Sequence, residues 1–152
     1  MTRAYVGLGA NLGDRLTTLR RAVELLAASP GIAVAGVSTF RETAPVGLTD
    51  QPDFVNGAVA LDTELAPRAL LERLLEVERE LGRTRTGPRF GPRTIDLDLL
   101  AYGDVELAEP GLTVPHPRLH ERRFVLEPLA ELEPALVVAG RGPVADLLAE
   151  LE

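Results

Sequence analysis

Two segments of the chain repeat apolar residues every three or four positions, which is the period of an amphipathic helix. The first covers residues 15–28, follows a potential capping residue at Asp14 and ends at the sequence SPG. The second begins with Pro67 and ends at Gly82. Runs rich in β-branched or continuously apolar residues predict four strands, over residues 3–10, 32–39, 54–61 and 94–101. A short extended segment over 112–114 and helices over 123–131 and about 144–151 complete the expected elements.

The order of these elements, β-α-β-β-α-β, is that of the ferredoxin-like α+β fold. It predicts an antiparallel four-stranded sheet with helices packed on one face, followed by additional C-terminal helices. The chain of 152 residues has the size of one ordinary domain, so we expect a single domain over residues 1–152. A long loop is expected over residues 42–53, and loops of that length inside a compact domain are commonly functional.

Two acidic residues interrupt the fourth predicted strand. Asp96 and Asp98 stand two positions apart in the run TIDLDLLA, so both side chains are expected on one face of the strand. Ile95, Leu97 and Leu99 would then point to the other face. A solvated edge strand would explain such a pair in isolation. Two like charges so close together in an apolar run favour a shared cation, and magnesium is typically held by one or two carboxylates plus substrate phosphates.

A basic segment precedes this acidic strand. Residues 82–94 contain four arginines and no acidic residue. Arg83 and Arg93 flank the loop and are the strongest candidates for phosphate contacts, because guanidinium groups bind phosphate oxygens through paired hydrogen bonds. Arg85 and Arg89 are equally well explained as solvated loop residues. The basic loop and the acidic strand together predict a site for a magnesium-bound polyphosphate.

Composition narrows the classes of protein that remain. The chain has no cysteine, which excludes disulfides, thiolate catalysis and cysteine-bound metals. All 16 basic residues are arginine, so the phosphate-binding lysine of Walker-A loops and protein kinases is absent. The net charge of −7 argues against general nucleic-acid binding. Without a signal-peptide core or an apolar run of about 18 residues, we expect a cytoplasmic protein that does not associate with membranes.

Three further features carry weaker signals. The segment GLGANLG at residues 7–13 lacks the spacing of a dinucleotide-binding fingerprint and is better explained by close packing of the first strand against the first helix. His116 lies between two prolines and is a candidate for a position beside a phosphate, although a lone histidine is more often structural. Ordinary core or turn positions would explain Phe54, Asn56 and Phe124. Because aromatic residues make up only 4% of the chain, each aromatic is also a candidate stacking surface.

Several of these segments together resemble 6-hydroxymethyl-7,8-dihydropterin pyrophosphokinase, an enzyme family of the folate pathway. The segments that carry the resemblance are GPRTIDLD at 91–98, LTVPH at 112–116, GLGANLG at 7–13, TAPVG at 43–47, QPDFVN at 51–56 and RRF at 122–124. The resemblance implies a monomeric enzyme that transfers pyrophosphate from ATP to the hydroxymethyl group of the dihydropterin and releases AMP.

The resemblance also implies a catalytic centre and a nucleotide site. Two magnesium ions would be held by Asp96 and Asp98. Arg83 and Arg93 would hold the phosphates through the transition state, which is consistent with phosphoryl transfer being mostly positioning and charge neutralisation. The further implied contacts with ATP are Glu78, Ile95, His116 and Arg122.

For the pterin, the resemblance implies a site built from both halves of the chain. Asn56 would hydrogen-bond the heterocycle, and Phe54 and Phe124 would enclose it. Backbone groups near Thr43 and Val46 would contact its edge. The loops at residues 82–92 and 45–51 are candidates for closing over bound ATP, which would exclude water.

Two other functions stay open from the residues alone. A non-enzymatic ferredoxin-like module would use the aspartate pair for a regulatory metal and would bind without turnover. Another metal-dependent nucleotidyl or phosphoryl transferase would also need paired aspartates. The nucleotide product separates these alternatives, because pyrophosphoryl transfer gives AMP, a simple kinase gives ADP and a binding module gives neither.

Overall fold

The computed structural model describes residues 1–11, 13–44, 53–82 and 95–151. Five strands in these residues form one antiparallel sheet: β1 (Thr2–Ala10), β2 (Ile32–Val37), β3 (Arg41–Thr43), β4 (Phe54–Thr63) and β5 (Asp96–Tyr102). The strand order is β2-β4-β1-β5, and β3 pairs with β4. This order confirms the ferredoxin-like prediction.

The one strand of this sheet that the sequence did not predict is β3. It consists of three residues and lies where a loop was expected. The strand continues along the same side of β4 as β2, because Ser38 bridges the interval between them. The Ser38 N–H donates to the carbonyl of Ala58 at 2.9 Å, and the Ser38 hydroxyl oxygen accepts the Ala58 N–H at 2.8 Å.

Two helices cover one face of the sheet, as expected. Helix α1 (Arg15–Ala27) is capped by Asp14, whose carboxylate accepts the N–H of Thr17 at 3.2 Å. Helix α2 (Pro67–Glu80) has proline in its first turn. The side chains that bury this face are aliphatic and fully or nearly fully buried: Leu19 and Leu26 of α1, Leu70 and Leu74 of α2, and Val6, Val59, Leu61, Leu97 and Leu99 of the sheet.

The later helices lie on the opposite face. Helices α3 (Arg123–Leu132) and α4 (Val144–Glu150) pack Leu126, Leu129 and Leu147 against Tyr5 and Leu100 of the sheet. The sheet is therefore covered from both sides along part of its length, with α1 and α2 on one side and α3 and α4 on the other. No helix in the described ranges is long and apolar enough to cross a bilayer.

Two small hairpins complete the described chain. Strands β6 (Leu107–Glu109) and β7 (Leu112–Val114) form the first, and β8 (Val137–Val138) and β9 (Gly142–Pro143) form the second. The extended segment at β7 was predicted, whereas β6, β8 and β9 were not. A 3₁₀ turn at Leu119–Glu121 leads into α3. The predicted long helices and strands begin and end within two residues of those observed.

Candidate active site

Asp96 and Asp98 open strand β5 and share one face of the sheet. Their side chains are half-buried, whereas those of Ile95, Leu97 and Leu99 are buried in the core beneath α1 and α2. Since side chains alternate along a strand, both carboxylates face the side on which α3 and α4 lie. The prediction that the two acids point the same way is confirmed.

Two glycines of β1 lie beside the aspartates in the sheet. Gly9 pairs with Asp96 of β5 and with Asn56 of β4, and Gly7 pairs with Asp98 and with Ala58. A Cβ atom added to Gly9 would lie 2.7 Å from Oδ1 of Asn56, too close for the amide to stay in place. The glycines thus form a floor without side chains between the carboxylates and Asn56.

This finding corrects the interpretation of the glycine-rich segment. Its first two glycines were expected to let β1 pack closely on α1. A Cβ on Gly7 would instead lie 3.4 Å from the side chain of Leu100, which belongs to the core under α3 and α4. Alternation placed these glycines on the face opposite α1, and sequence spacing alone does not reveal which face a small residue serves. Gly13, by contrast, has φ of 64°, a conformation that favours glycine in the turn before α1.

Asn56 is held in one orientation by its neighbour on β3. The side chain is 9% exposed, and its amide nitrogen donates to the hydroxyl of Thr43. The amide oxygen, a hydrogen-bond acceptor, then lies over Gly9. Phe54 pairs with Thr43 and would also be 3.9 Å from a Cβ on Gly9. The structure therefore brings together three of the predicted pterin contacts: Thr43, Phe54 and Asn56.

The distance across this floor suits a flat heterocycle. Neighbouring strands are about 4.8 Å apart, so Asn56 and Asp96, which are separated by Gly9 alone, have Cα atoms about 10 Å apart.

Phe124, the second residue of α3, packs half-buried on the same side of the sheet. The guanidinium carbon of Arg122 lies 5.7 Å from the centroid of the Phe124 ring, within the range of a cation–π contact.

His116 lies close to the aspartates and is electrically neutral near pH 7. Its backbone N–H donates to the carbonyl of Leu100, two residues beyond Asp98, at 2.9 Å. Burial, followed by the positive charges of Arg122 and Arg118, lowers the pKa of His116 to about 4. Nδ1 accepts the Arg118 N–H at 3.1 Å, so the single ring proton is on Nε2. His116 can therefore donate a hydrogen bond from Nε2 without carrying a charge.

Glu78 contacts the acidic strand from the other face. The residue lies near the end of α2 and is 3% exposed. Its Oε2 accepts the backbone N–H of Leu97, the residue between the two aspartates, at 2.8 Å. The side chain of Ile95 is fully buried in the same core, which leaves only its backbone groups to contact a nucleotide. The predicted roles of both residues in ATP binding stay predictions.

Three predicted site residues lie outside the described residues. They are the two phosphate contacts Arg83 and Arg93 and the pterin contact Val46. The two loops expected to close over ATP also fall largely outside the described ranges.

Sequence reasoning missed two arginines that hold the expected pterin side of the site. Arg15, the first residue of α1, donates to the carbonyl of Asp53 at 2.6 Å and to the carboxylate of Glu42 at 3.0 Å. It thereby connects the helix to β3 and to the residue before β4. Residues 27 and 38 positions apart in the chain make these contacts, and no local motif indicates them.

The second missed arginine links β3 to α3. Arg41 donates to one carboxylate oxygen of Glu131 at 2.7 Å, and the other oxygen accepts the N–H and the hydroxyl of Thr39. These hydrogen bonds, the Thr39 backbone N–H first, lower the pKa of Glu131. The network fastens the strand that carries Thr43 to the helix that carries Phe124, so it spans the two sides of the expected pterin pocket.

Comparison with known proteins identifies relatives over almost the whole chain. Residues 5–134 match the family described as 7,8-dihydro-6-hydroxymethylpterin-pyrophosphokinase. The chain is 51% identical over 152 residues to a 2-amino-4-hydroxy-6-hydroxymethyldihydropteridine pyrophosphokinase of Methylorubrum extorquens, with 100% of this chain and 95% of that protein covered. It is also 51% identical over 129 residues to the Bacillus subtilis protein of the same name, with 85% and 77% covered.

Solved structures agree on the fold. A Plasmodium falciparum HPPK-DHPS wild type with SDX-DHP matches with a TM-score of 0.72 at 14% identity, over 99% of this chain and 43% of that one. An HPPK-DHPS in complex with substrates matches with a TM-score of 0.76 at 13% identity, over 98% and 43%. This chain thus spans less than half of those longer chains. The match to the family over residues 5–134 and the two relatives at 51% identity show that the chain belongs to the 7,8-dihydro-6-hydroxymethylpterin-pyrophosphokinase family.

Proposed function

We propose that this chain catalyses the reaction for which its family is named, the transfer of pyrophosphate from ATP to 6-hydroxymethyl-7,8-dihydropterin in folate biosynthesis. The hydroxymethyl oxygen attacks the β-phosphorus of ATP and forms a new O–P bond, and the hydroxyl proton is released to solvent. The bond from that phosphorus to the α,β-bridging oxygen breaks, and AMP leaves. The observation that carries this proposal is the row across three strands in which Asp96, Gly9 and Asn56 lie side by side.

The proposed pterin site uses the Asn56 end of that row. A fused polar ring needs flat apolar surfaces and a few fixed hydrogen-bonding groups. Phe54 and Phe124 offer the surfaces. The amide oxygen of Asn56, with its nitrogen already bonded to Thr43, accepts from an N–H at the ring edge. A ring bound there would extend over Gly9 and direct its hydroxymethyl group toward Asp96.

The carboxylate end of the row suits magnesium. In the described ranges no group of three or more histidine, cysteine or acidic side chains could hold a metal ion, so within those ranges the proposed donors are the paired carboxylates of Asp96 and Asp98. That donor set fits magnesium, which keeps water and phosphate oxygens as further ligands. We propose that Asp96 and Asp98 hold two ions with the triphosphate. When bound, magnesium neutralises negative charge on the phosphate oxygens.

The remaining groups orient the nucleotide. His116 donates from Nε2 to a phosphate oxygen and, being neutral, adds direction without repelling the ions. Arg83 and Arg93 neutralise the charge that spreads over the phosphate oxygens in the transition state. Arg122 lies 5.7 Å from the Phe124 ring and its charge acts on His116, so it is placed to contact a phosphate beside the proposed pterin site. The backbone of Ile95 completes the proposed nucleotide site, and Glu78 belongs to it indirectly, through its hydrogen bond with the backbone of Leu97 from the other face of the sheet.

The test is the identity of the nucleotide product. The purified protein is incubated with ATP and magnesium, with and without the pterin alcohol, and nucleotides are separated by chromatography. We expect AMP in an amount equal to the pterin diphosphate and only when the pterin alcohol is present. Formation of ADP would instead indicate a simple kinase, and the absence of any product would indicate a binding module.

Four further predictions accompany this function. We propose that the chain is a single domain, monomeric, cytoplasmic and without affinity for nucleic acid, the last supported by the net charge of −7. Light scattering after size-exclusion chromatography measures the molar mass in solution. A mass of twice 16.3 kDa would contradict the monomer.

A further inference from the structure

Glu78 is a buried acidic residue for which the chemistry above has no direct use. It is 3% exposed, on the face of the sheet opposite the aspartates. Taking a carboxylate out of water is unfavourable unless hydrogen bonds or charges compensate. One such partner is the backbone N–H of Leu97, 2.8 Å from Oε2.

The Leu97 N–H lies at the edge of the sheet, between the two aspartates. Leu97 stands between Asp96 and Asp98, and its side chain is fixed in the core under α2. In the described part of the sheet β5 is the last strand and pairs only with β1. The carboxylate of Glu78 therefore accepts the Leu97 N–H in the way that a backbone carbonyl of a neighbouring strand would.

The same hydrogen bond joins the two sides of the arginine-rich segment. Helix α2, which carries Glu78, precedes residues 83–94, and β5 follows them. A bond between residues 19 positions apart holds the end of the helix and the start of the strand at a fixed separation. The hydrogen bond thereby fixes the distance between the two ends of the segment that carries Arg83 and Arg93.

We infer that Glu78 is a positioning residue for magnesium, acting through the backbone of Leu97 on the carboxylates of Asp96 and Asp98; this inference rests on the proposed function. Magnesium tolerates little departure from octahedral geometry. The direction of both carboxylates depends on how the backbone between them is held. Groups that orient metal ligands from outside the first coordination sphere typically change metal affinity or activity about 10–100-fold when they are removed.

Two substitutions separate positioning from other roles. Glu78→Ala removes the acceptor, so we expect the magnesium concentration for half-maximal AMP formation to rise about tenfold or more. The KM for the pterin alcohol should stay unchanged, because its proposed contacts lie on β3, β4 and α3. Glu78→Gln retains an oxygen that can accept the Leu97 N–H and should keep the wild-type magnesium requirement. Glu76→Ala, on an exposed residue of the same helix that pairs with Arg73, is the matched control.

A measurement without turnover separates this inference from the proposed function. Amide exchange at Leu97, followed by NMR in metal-free protein, should be about tenfold faster or more in Glu78→Ala than in Glu78→Gln. Calorimetric titration with magnesium and a non-hydrolysable ATP analogue should show the same order of affinities. These results hold even if the wild-type protein releases no AMP, which would contradict the proposed function alone.

Three results would overturn the inference. The first is a folded Glu78→Ala variant with a wild-type magnesium requirement. The second is a parallel rise of the magnesium requirement and the pterin KM, which indicates general loosening. The third is a loss in Glu78→Gln as large as that in Glu78→Ala, which means that the negative charge acts rather than the hydrogen bond. Should Glu78→Ala not fold, the Gln variant decides, because a tenfold rise in its magnesium requirement contradicts positioning.

Discussion

The two faces of the sheet use the same strands for different purposes. The face under α1 and α2 is lined almost entirely by aliphatic side chains, including Leu97 of β5 and Ile95, the residue before that strand. On the opposite face, the start of the same strand presents Asp96 and Asp98 beside the glycines of β1. Residues one position apart thus lie in the core and in the proposed active site. One strand can hold charged side chains firmly because its other face is anchored in a core.

The largest effect is expected from removing a carboxylate on the site face. Asp96→Ala and Asp98→Ala should each lower kcat by about a hundredfold or more, since even outer changes around a metal site cost about 10–100-fold. Circular dichroism should show an intact fold, because neither side chain belongs to the core. Asp104→Ala, an exposed acid just beyond β5, is the control. Near-normal turnover in either site variant would contradict the assigned roles.

On the face under α1 and α2, a substitution should lower stability and leave substrate binding unchanged. Leu74→Ala empties a fully buried position of α2 and should lower the free energy of unfolding by about 2–5 kcal/mol. Chemical denaturation measures that loss. The fraction that stays folded should retain the wild-type KM for ATP and for the pterin alcohol. A changed KM in folded protein would show that loss of packing on this face, and not only loss of the Glu78 hydrogen bond, alters the site.

The glycine floor offers a smaller and more selective perturbation. Gly9→Ala places a methyl group 2.7 Å from Oδ1 of Asn56 and should raise the KM for the pterin about tenfold, the cost of one displaced hydrogen bond. Gly7→Ala meets only the Leu100 side chain at 3.4 Å, an ordinary contact, and should raise it less. Steady-state kinetics compares the two. Equal effects would remove the specific role of Gly9.

The effect that is smallest at neutral pH concerns the protonation of His116. The folded protein keeps this imidazole neutral down to about pH 4, whereas the unfolded chain protonates it near its ordinary value of 6.5. Unfolding therefore takes up a proton between these values, and stability falls as the pH is lowered through that window. His116→Asn should flatten this part of the stability–pH curve. NMR titration that gives His116 a pKa near 6.5 would contradict the neutral-donor assignment.

The sequence predicts the sheet face under α1 and α2 better than the face that carries Asp96 and Asp98. Periodicity alone predicted α1, α2 and the alternation of Asp96 and Asp98 with Ile95 and Leu97, because burial imposes a repeating pattern. Strand β3 has three residues, too few to produce a pattern, and was missed.

The site required information that the pattern of a single element does not contain. Which face Gly7 and Gly9 serve depends on register with β4 and β5. The contacts of Arg15 with Glu42 and of Glu78 with Leu97 join residues 27 and 19 positions apart. The acidic pair and the flanking arginines were predicted from the residues themselves, and the pterin contacts through the resemblance to a family, whereas the groups that hold the described site residues in place were found only in the fold.

The most direct test of the central claim is a crystal structure with magnesium, a non-hydrolysable ATP analogue and the pterin alcohol. We expect carboxylate oxygens of Asp96 and Asp98 to bind magnesium together with phosphate oxygens. The pterin should lie between Phe54 and Phe124 with Asn56 at its edge. A nucleotide bound away from β5, or aspartates that contact no metal in the ternary complex, would contradict it.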